Sequence, residues 1–372
     1  MIDKKNVLIT NATVFEDIIG GAQKATDEIA ISLSQLGYSV TILAPDRLND
    51  GIMDYMSQCK QYKIAKYKSF NGILKFLNIF SAILKFHKIN STKKIDILWG
   101  NSPEPWLFLP IKRIEKIIYT MHGPWLLERK LDNRATFLAK ILGPLLIKKN
   151  VKYHFQSNYV YETCCKEIKK LNKVEYIISP LLINEVKIKS KSNIKYKTFK
   201  NILHQNKLNI LLPRRLVNRT GVIEFLNIIS NKRFSFINVI VVGSGYLEEK
   251  VSEIANNNDN IIFLGKVEQN QLNYLFQESD IVCMPSIDAE GFGVSILEAI
   301  FRNTPVVYTK GGGMEEFLSK VPECKHIDLN NVNNTLSVFI DCYELKKTKN
   351  LVVNRQAIPY KFIDNLKAVI DG

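Results

Sequence analysis

The chain lacks several features that would place it in a specialised class of protein. No run of about eighteen uncharged apolar residues occurs, so the sequence predicts no membrane-spanning helix. We also expect no signal peptide, because the first residues lead directly into an apolar stretch, Asn6 to Thr10. The six cysteines lack metal-ligand spacing, which argues against a zinc site and favours free thiols in a reducing compartment.

Acidic residues are also absent between Asp54 and Asp96, although this span contains nine lysines. Residues 1–200 carry 33 Lys and Arg against 17 Asp and Glu, whereas residues 201–372 carry 18 against 19. The basic first half would attract nucleic acid or an anionic membrane surface. A nucleic-acid-binding protein would need basic motifs interleaved with aromatic residues or a known binding module, and the sequence shows neither.

The hydrophobic pattern predicts two doubly wound, Rossmann-like α/β domains that face a central cleft, which suits a length of 372 residues. The first half opens with a strand and a helix from Gly21 to Leu36. The predicted strands are 6–10, 39–44, 95–99, 117–120, 151–155 and 176–178 in the first half, and 208–212, 236–242, 261–264, 281–284 and 304–308 in the second. The lysine-rich, aperiodic segment Glu185 to Lys200 is interpreted as the connection between the domains.

The most informative segment, Asp288 to Glu298, joins a predicted strand to a predicted helix. A helix start presents unpaired N–H groups and the positive end of the helix dipole, which suit phosphate, and the glycines allow close approach. Glu290 in the turn and Glu298 in the helix are acceptors that suit sugar hydroxyls. Together these groups describe a nucleotide-sugar site, although an ordinary strand-to-helix connection has the same outline.

Other predicted strand ends carry further candidate ligand groups, each with a purely structural alternative. Gly311–Gly313 can wrap an anion or form a flexible loop. Arg214–Gly221 holds three arginines that suit a diphosphate, unless it is a solvated basic loop. His122–Trp125 suits a sugar, although a lone histidine is more often structural, and Gly20–Gly21 is a close-approach point or a tight turn.

In this order, the motifs resemble those of the retaining nucleotide-sugar glycosyltransferases of the family-4 type (glycosyl transferases group 1), which have the GT-B fold. The resemblance covers nearly the whole chain and is strongest from Leu208 to Leu318. Its most specific parts are Asn260–Gly265, Asp280–Ser286 and Glu290–Ala299. A glutamate, seven residues and a second glutamate form the signature of that family.

The resemblance implies a division of the chain into an acceptor-binding domain at residues 1–190, a nucleotide-sugar-binding domain at residues 201–355, and a terminal helix at residues 356–372 that crosses back to the first domain. The implied donor-binding residues are Gly21, Arg215, Arg219, Gly291, Phe292, Gly293, Val294 and Glu298. Glu298 would bind the ribose hydroxyls and Arg215 the diphosphate. The family usually carries a lysine where this chain has Thr220, and Arg219 is the substitute that we expect.

The implied catalytic residues are His122, Arg215 and Glu290, of which Glu290 would contact the hydroxyls of the transferred sugar and His122 would lie near that sugar. The candidate acceptor-binding residues are Gly20, Trp106 and Trp125. No D-x-D carboxylate pair occurs in the sequence, so we expect neither a metal nor any other cofactor. The arginines and a helix N-terminus would neutralise the leaving diphosphate instead. The family retains the anomeric configuration, by same-face attack in which the departing phosphate takes the proton of the acceptor.

The apolar stretch Ile73 to Phe86, flanked by Lys66, Lys68, Lys85 and Lys88, suits the surface of an anionic membrane, unless it is a core helix with a solvated basic edge. Phe137 to Lys149 has a similar composition. We expect the protein in the cytoplasm and, on the membrane interpretation, peripheral on the inner face of the cytoplasmic membrane. Its acceptor is then a lipid-linked saccharide of bacterial surface polysaccharide or lipopolysaccharide assembly, with UDP expected rather than GDP in the donor. The alternatives are a GT-B nucleotide-sugar epimerase and, less favoured, a basic nucleic-acid-binding protein.

Overall fold

The protein was analysed as a computed structural model, which describes residues 5–10, 21–46, 62–70, 77–101, 114–131, 147–181, 183, 201–287, 290–349, 351–353 and 360–371. The chain divides into two compact units. The first unit comprises Met1–Pro124, Phe137–Asn184 and Lys361–Gly372, and the second comprises Trp125–Thr136 and Glu185–Tyr360. The predicted interdomain connection, Glu185 to Lys200, lies outside the described residues, as do Phe137 to Leu146.

Within the described residues, the first unit contains a parallel sheet of seven strands in the order β3-β2-β1-β4-β5-β6-β7. Its strands are β1 (Asn6–Thr10), β2 (Ser39–Pro45), β3 (Lys63–Tyr67), β4 (Ile97–Gly100), β5 (Lys116–Met121), β6 (Lys152–Phe155) and β7 (Tyr176–Ile178). Strands β4 and β6 are buried at every position, as expected for interior strands of a parallel sheet that is covered on both faces.

The second unit contains a parallel sheet of six strands among its described residues, in the order β10-β9-β8-β11-β12-β13. Its strands are β8 (Leu208–Pro213), β9 (Ile237–Val242), β10 (Ile261–Gly265), β11 (Ile281–Met284), β12 (Val306–Thr309) and β13 (Lys325–Ile327). Apolar side chains of the strands pack against the covering helices to form the core, in which Phe225, Phe234 and Phe339 are completely buried.

Helices connect the strands in both units. They are α1 (Gly21–Gln35), α2 (Leu77–Thr92), α3 (Trp125–Leu131), α4 (Asn158–Glu167), α5 (Val222–Ile229), α6 (Glu248–Asn256), α7 (Gln269–Glu278), α8 (Val294–Ile300), α9 (Gly313–Leu318), α10 (Val332–Lys347) and α11 (Phe362–Asp371). In the described part of the chain, none of the helices is long and apolar enough to cross a membrane.

Two edge strands were absent from the sequence prediction. Strand β3 has the sequence Lys-Ile-Ala-Lys-Tyr, and its lysines had been assigned to a basic surface segment. Lysine is a common residue on edge strands because its charge discourages pairing with another chain. The lysines of this stretch therefore suit an edge strand as well as a basic surface. Strand β13 is only three residues long and gives too short a pattern to be recognised.

Helix α3 and helix α11 each belong to a different unit from the segment that precedes them along the chain. Helix α3 packs in the second unit, although the sequence interpretation assigned residues 1–190 to the first domain. Helix α11 packs in the first unit, where Asn365 Nδ2 donates a hydrogen bond of 2.9 Å to the carbonyl of Pro180. The ammonium group of Lys116 donates to the carbonyl of Ile370, and a cation at this end of a helix is favourable for its dipole.

Candidate functional site

The candidate site of the second unit lies where the direction of chain progression across the sheet reverses. Strands β8 and β11 are neighbours, yet the chain leaves β8 toward β9 and β10 and leaves β11 toward β12 and β13. Parallel sheets bind ligands at the carboxyl ends of two such strands, because the following loops diverge to opposite faces there. The described residues of the loops at this point are 214–221, 285–287 and 290–293.

A buried ion pair joins these two loops. Arg214 Nη2 lies 2.6 Å from Glu290 Oε2, and the side chains are only 7% and 13% exposed. The same nitrogen donates to Ser286 Oγ at 2.6 Å, and Ser286 Oγ lies 3.1 Å from Glu290 Oε2. One oxygen of the Glu290 carboxylate therefore has two partners, while Oε1 has no hydrogen bond among the described residues.

The pKa of Glu290 reflects this environment. Burial by itself would raise the pKa of the carboxyl group. The cations of Arg214 and Arg219, together with hydrogen bonds from Arg214 and Ser286, outweigh burial and lower the pKa from its ordinary value of 4.5. Glu290 is therefore a buried carboxylate that stays ionised at neutral pH.

The glycine turn Gly311–Gly313 fixes the main chain of Glu290. The N–H of Gly313 donates to the Glu290 carbonyl at 2.8 Å. Gly312 has a φ of 78°, and a Cβ atom there would come within 2.6 Å of that same carbonyl oxygen. Only glycine permits both the conformation and the contact, so the second predicted glycine turn supports Glu290.

Helix α8 begins directly after the Glu290 turn, with Gly293 as its N-cap residue at a φ of 88°. A Cβ atom on Gly293 would lie 3.3 Å from Glu290 Oε1, so the missing side chain leaves room beside that oxygen. Phe292 is buried and packs on Phe317 with ring centroids 5.2 Å apart, so its ring belongs to the core. Val294 and Glu298, one helical turn apart, are both buried within α8.

The arginine loop, residues 214–221, contains Arg214, which the sequence interpretation did not select as a ligand group. It also contains Thr220, which that interpretation identified as a departure from the expected pattern. Arg214 was quoted as part of the motif, but Arg215 and Arg219 were chosen as the ligand groups. Arg215 is half-buried on the same loop. Thr220, which stands where the resemblance led us to expect a lysine, is buried, and its hydroxyl lies 2.6 Å from the carbonyl of Val217. Its side chain therefore faces the backbone of its own loop.

Arg219 interacts electrostatically with two carboxylates. Its Nη1 is 3.8 Å from Glu128 Oε1 of helix α3, with the two side chains 12% and 24% exposed, and its charge contributes to the lowered pKa of Glu290. Helix α3 packs on the turn Asn218–Thr220 that carries Arg219. This contact explains why residues 125–131 belong to the second unit.

His122 belongs to the first unit and lies just beyond strand β5. Gln156 Nε2 lies 3.4 Å from His122 Nδ1, and Gln156 Oε1 accepts the N–H of Leu181 at 2.7 Å, which fixes the orientation of the amide. Nδ1 is thus an acceptor, and Nε2 carries the proton toward Asn101 Oδ1 at 3.2 Å. Burial and, to a smaller extent, the neighbouring His154 lower the pKa of His122 from 6.5 to about 3, so the ring is neutral at physiological pH.

The remaining predicted residues are placed as follows. Gly21 is the first residue of α1, and Trp125 is the first residue of α3. Gly20 and Trp106 lie outside the described residues. In the part of the chain that the structure describes, no group of three or more His, Cys, Asp or Glu residues could hold a metal ion.

Two family models match the chain, one in each half. Residues 19–174 match Glycosyltransferase Family 4, and residues 194–321 match Glycosyl transferases group 1. Together these matches support a GT-B glycosyltransferase. The sequence relatives of the chain include two uncharacterised glycosyltransferases of Methanocaldococcus jannaschii. MJ1607 is 34% identical over 22% of this chain and only 21% of its own length, and MJ1069 is 25% identical over 80% of this chain and 79% of its own length.

Solved structures show the same fold. The structure of Anabaena HepE in complex with UDP-glucose is similar with a TM-score of 0.75 at 15% identity, covering 98% of each chain. The structure of WaaG, a glycosyltransferase involved in lipopolysaccharide biosynthesis, has a TM-score of 0.64 at 14% identity and covers 98% of this chain and 95% of that one. Both similarities confirm the predicted GT-B fold of two parallel-sheet α/β domains.

Proposed function

We propose that this chain is a retaining hexosyltransferase that moves a sugar from a nucleotide-diphosphate sugar, with UDP preferred to GDP, to a saccharide acceptor. The observation that carries the proposal is the ionised Glu290 at the β8–β11 switch point. One of its oxygens is held by Arg214 and Ser286, and the other has no hydrogen bond within the described residues. A charged acceptor next to arginines suits a ligand that has both hydroxyl groups and phosphate.

The donor would be divided among the strand-end loops of the second unit. Arg215 and Arg219 would hold the diphosphate, and the backbone N–H groups of Gly291–Gly293 would contact the sugar end of the donor. Glu290 Oε1 would accept a hydrogen bond from a sugar hydroxyl, and Glu298 would accept from the ribose hydroxyls. UDP-glucose is the ligand in the structure of Anabaena HepE, which supports UDP as the first nucleotide to test.

The transfer would proceed on one face of the sugar. The acceptor hydroxyl oxygen forms the new bond to the anomeric carbon while the bond from that carbon to the diphosphate oxygen breaks. The departing phosphate oxygen takes the proton of the acceptor hydroxyl. Charge that develops on the diphosphate is stabilised by Arg215 and Arg219, which supply cations where a D-x-D motif would supply a metal. His122, neutral and with a fixed tautomer, would contribute a polar contact to the sugar rather than a charge.

A screen of nucleotides tests this proposal directly. We expect UDP to raise the melting temperature more than GDP or ADP, and one UDP-sugar to raise it further. NMR of the product formed on a saccharide acceptor should show the anomeric configuration of the donor. Conversion of the donor sugar without an acceptor would instead identify an epimerase, and the absence of any nucleotide effect would contradict the proposed donor site.

We further propose a lipid-linked saccharide acceptor in bacterial surface polysaccharide or lipopolysaccharide synthesis, with the enzyme peripheral on the cytoplasmic side of the membrane. The similarity to WaaG supports the pathway. A surface of the first unit supports the location, because Phe80 and Leu84 of α2 are 59% and 70% exposed. They lie one turn apart on the helix, and α2 packs on the lysine-bearing strand β3.

Vesicle binding tests this location. Lys88 of α2, Lys66 of the strand β3 on which α2 packs, and Lys68 just after that strand are exposed, and each cation close to an anionic bilayer contributes about 1 kcal/mol. We expect binding to phosphatidylserine vesicles at low salt, and loss of binding when four lysines of this surface are changed to glutamine. The four lysines are Lys66, Lys68, Lys85 and Lys88. The matched control changes four exposed lysines of the second unit, Lys232, Lys250, Lys320 and Lys349. Equal loss in both variants would show that only overall charge matters.

A further inference from the structure

The buried guanidinium of Arg214 has a geometry that does not suit a phosphate ligand. Its side chain is only 7% exposed, and its Nη2 is already shared between Glu290 Oε2 and Ser286 Oγ, each at 2.6 Å. Its Nη1 lies 3.7 Å from Met284 Sδ. A diphosphate would have to displace Glu290 to reach this group. Arg214 therefore acts on Glu290, and Arg215 and Arg219 remain the candidates for phosphate.

The contacts of Arg214 determine which carboxylate oxygen of Glu290 is available. Oε2 is occupied by the guanidinium and by Ser286. Oε1 lies beside Gly293, which has no side chain to cover it. Ser286 is itself fixed, since Thr309 Oγ1 donates to its carbonyl. The carboxylate is thus held in one orientation by residues from β8, the β11 loop and β12.

We propose that Arg214 is a positioning residue of the donor site, which holds Glu290 so that Oε1 is presented as an ionised acceptor to one hydroxyl of the transferred sugar. This inference rests on the proposed glycosyltransferase function and deepens it. It predicts that Arg214 contributes to recognition of the sugar and contributes nothing to recognition of the nucleotide. The recognised sugar must then carry a hydroxyl group at the position that faces Oε1.

The charged groups around Glu290 come from several elements. Arg214 follows β8, and Arg219 lies on the turn Asn218–Thr220 and is shared with Glu128 of α3. Glu315 of α9 accepts the N–H of Gly311 at 2.8 Å within the glycine turn that holds the Glu290 main chain. Without Arg214, Arg219 would be the main remaining cation that opposes the rise in the pKa of Glu290 caused by burial. Protonation of Glu290 should then occur at higher pH.

The test compares the affinities of UDP and UDP-glucose, or of whichever nucleotide and sugar nucleotide the melting screen selects, by calorimetry between pH 5 and pH 8. The terminal phosphate of free UDP titrates at about pH 6 and that of the sugar nucleotide does not, so the wild type is the reference for the ratio of the two affinities at each pH. In Arg214→Met, we expect UDP to bind within twofold of the wild type. The affinity for the sugar nucleotide should fall at least tenfold relative to the wild type, and this loss should grow as the pH falls. Arg214→Lys, which keeps a cation, should restore the wild-type ratio in part.

Two further variants keep the test decisive. Ser286→Ala removes one partner of Oε2 and leaves the ion pair, so it should weaken the binding of the sugar nucleotide alone, by about threefold. This variant tests the inference even if Arg214→Met does not fold. Arg233→Met is the control, since Arg233 is an exposed arginine of the same unit that bonds Asn333. Equal losses of UDP and UDP-glucose in Arg214→Met, or a loss relative to the wild type that does not change with pH, would overturn the inference. A wild type that binds no nucleotide would refute the proposed function instead.

Discussion

Replacing Glu290 with glutamine should destabilise the second unit, because it leaves the buried cation of Arg214 without its counter-ion. The guanidinium is 7% exposed and the carboxylate is 13% exposed, so water screens the pair only weakly. Removing one partner of a buried ion pair typically costs about 3–5 kcal/mol. Glutamine keeps an oxygen acceptor for Arg214 and Ser286, so we expect a loss near the lower end, about 3 kcal/mol.

Hydrogen-exchange mass spectrometry can measure this loss in peptides from β8, β9 and β11, which report the second unit separately from the first. The matched control is Glu344→Gln, which breaks the pair with Lys347 at 2.7 Å between side chains that are 61% and 51% exposed. An exposed pair contributes only about 0–1 kcal/mol, so the control should hardly change exchange. Combining Glu290→Gln with Arg214→Met should recover part of the loss, because the uncompensated charge is then gone.

The pH dependence provides a second measurement of the same pair. The pKa of Glu290 is lowered in the folded state, so its contribution to stability is fully present above the unfolded pKa and is lost as the pH falls through the folded pKa. The difference between the wild type and Glu290→Gln should therefore be constant near neutrality and shrink below about pH 4.5. A Glu290→Gln variant as stable as the wild type at pH 7 would refute the buried-pair reasoning.

Three further predictions concern the donor site. Glu298→Ala should weaken sugar-nucleotide binding by roughly 1.5–3 kcal/mol in calorimetry, and unchanged affinity in a folded variant would remove Glu298 from the site. Arg215→Ala should reduce the transfer rate more than Arg219→Ala, and the double variant should be nearly inactive; an Arg219→Ala change that is neutral in both backgrounds contradicts its role as substitute cation. Glu128→Gln should tighten UDP binding up to about fivefold, because Arg219 no longer shares its charge with a partly exposed carboxylate. Unchanged UDP affinity would mean that the diphosphate does not use Arg219.

The segments that the sequence predicted well are those in which one short stretch contains its own signal. Strand β11, the glycine turn and helix α8 lie within twenty residues, and each has a distinct pattern of apolar residues or glycine. Strands β1 and β7 were predicted with the same bounds that the structure has. Such local patterns are sufficient for the fold class because burial on both faces of a parallel sheet demands continuous apolar runs.

The segments that were missed depend on neighbours that are distant in the sequence. Strand β3 pairs with β2 through residues such as Ile64 and Ile42, and this pairing is not visible in a lysine-rich stretch read by itself. Helix α3 packs on the turn Asn218–Thr220 of the second unit, where Glu128 contacts Arg219. Neither contact leaves a pattern in the local sequence.

The sequence by itself determined the α/β class, the order of the strand-end motifs, and the presence of two adjacent arginines and of a two-glutamate signature. Only the tertiary structure decided that Arg214, and not Arg215, bonds Glu290, which is 76 residues away. Successive side chains at the end of a strand point in opposite directions, so one arginine is buried against the β11 loop while its neighbour is left half-buried. Which of the two is buried depends on how β8 pairs with β11, and that register is a property of the folded sheet.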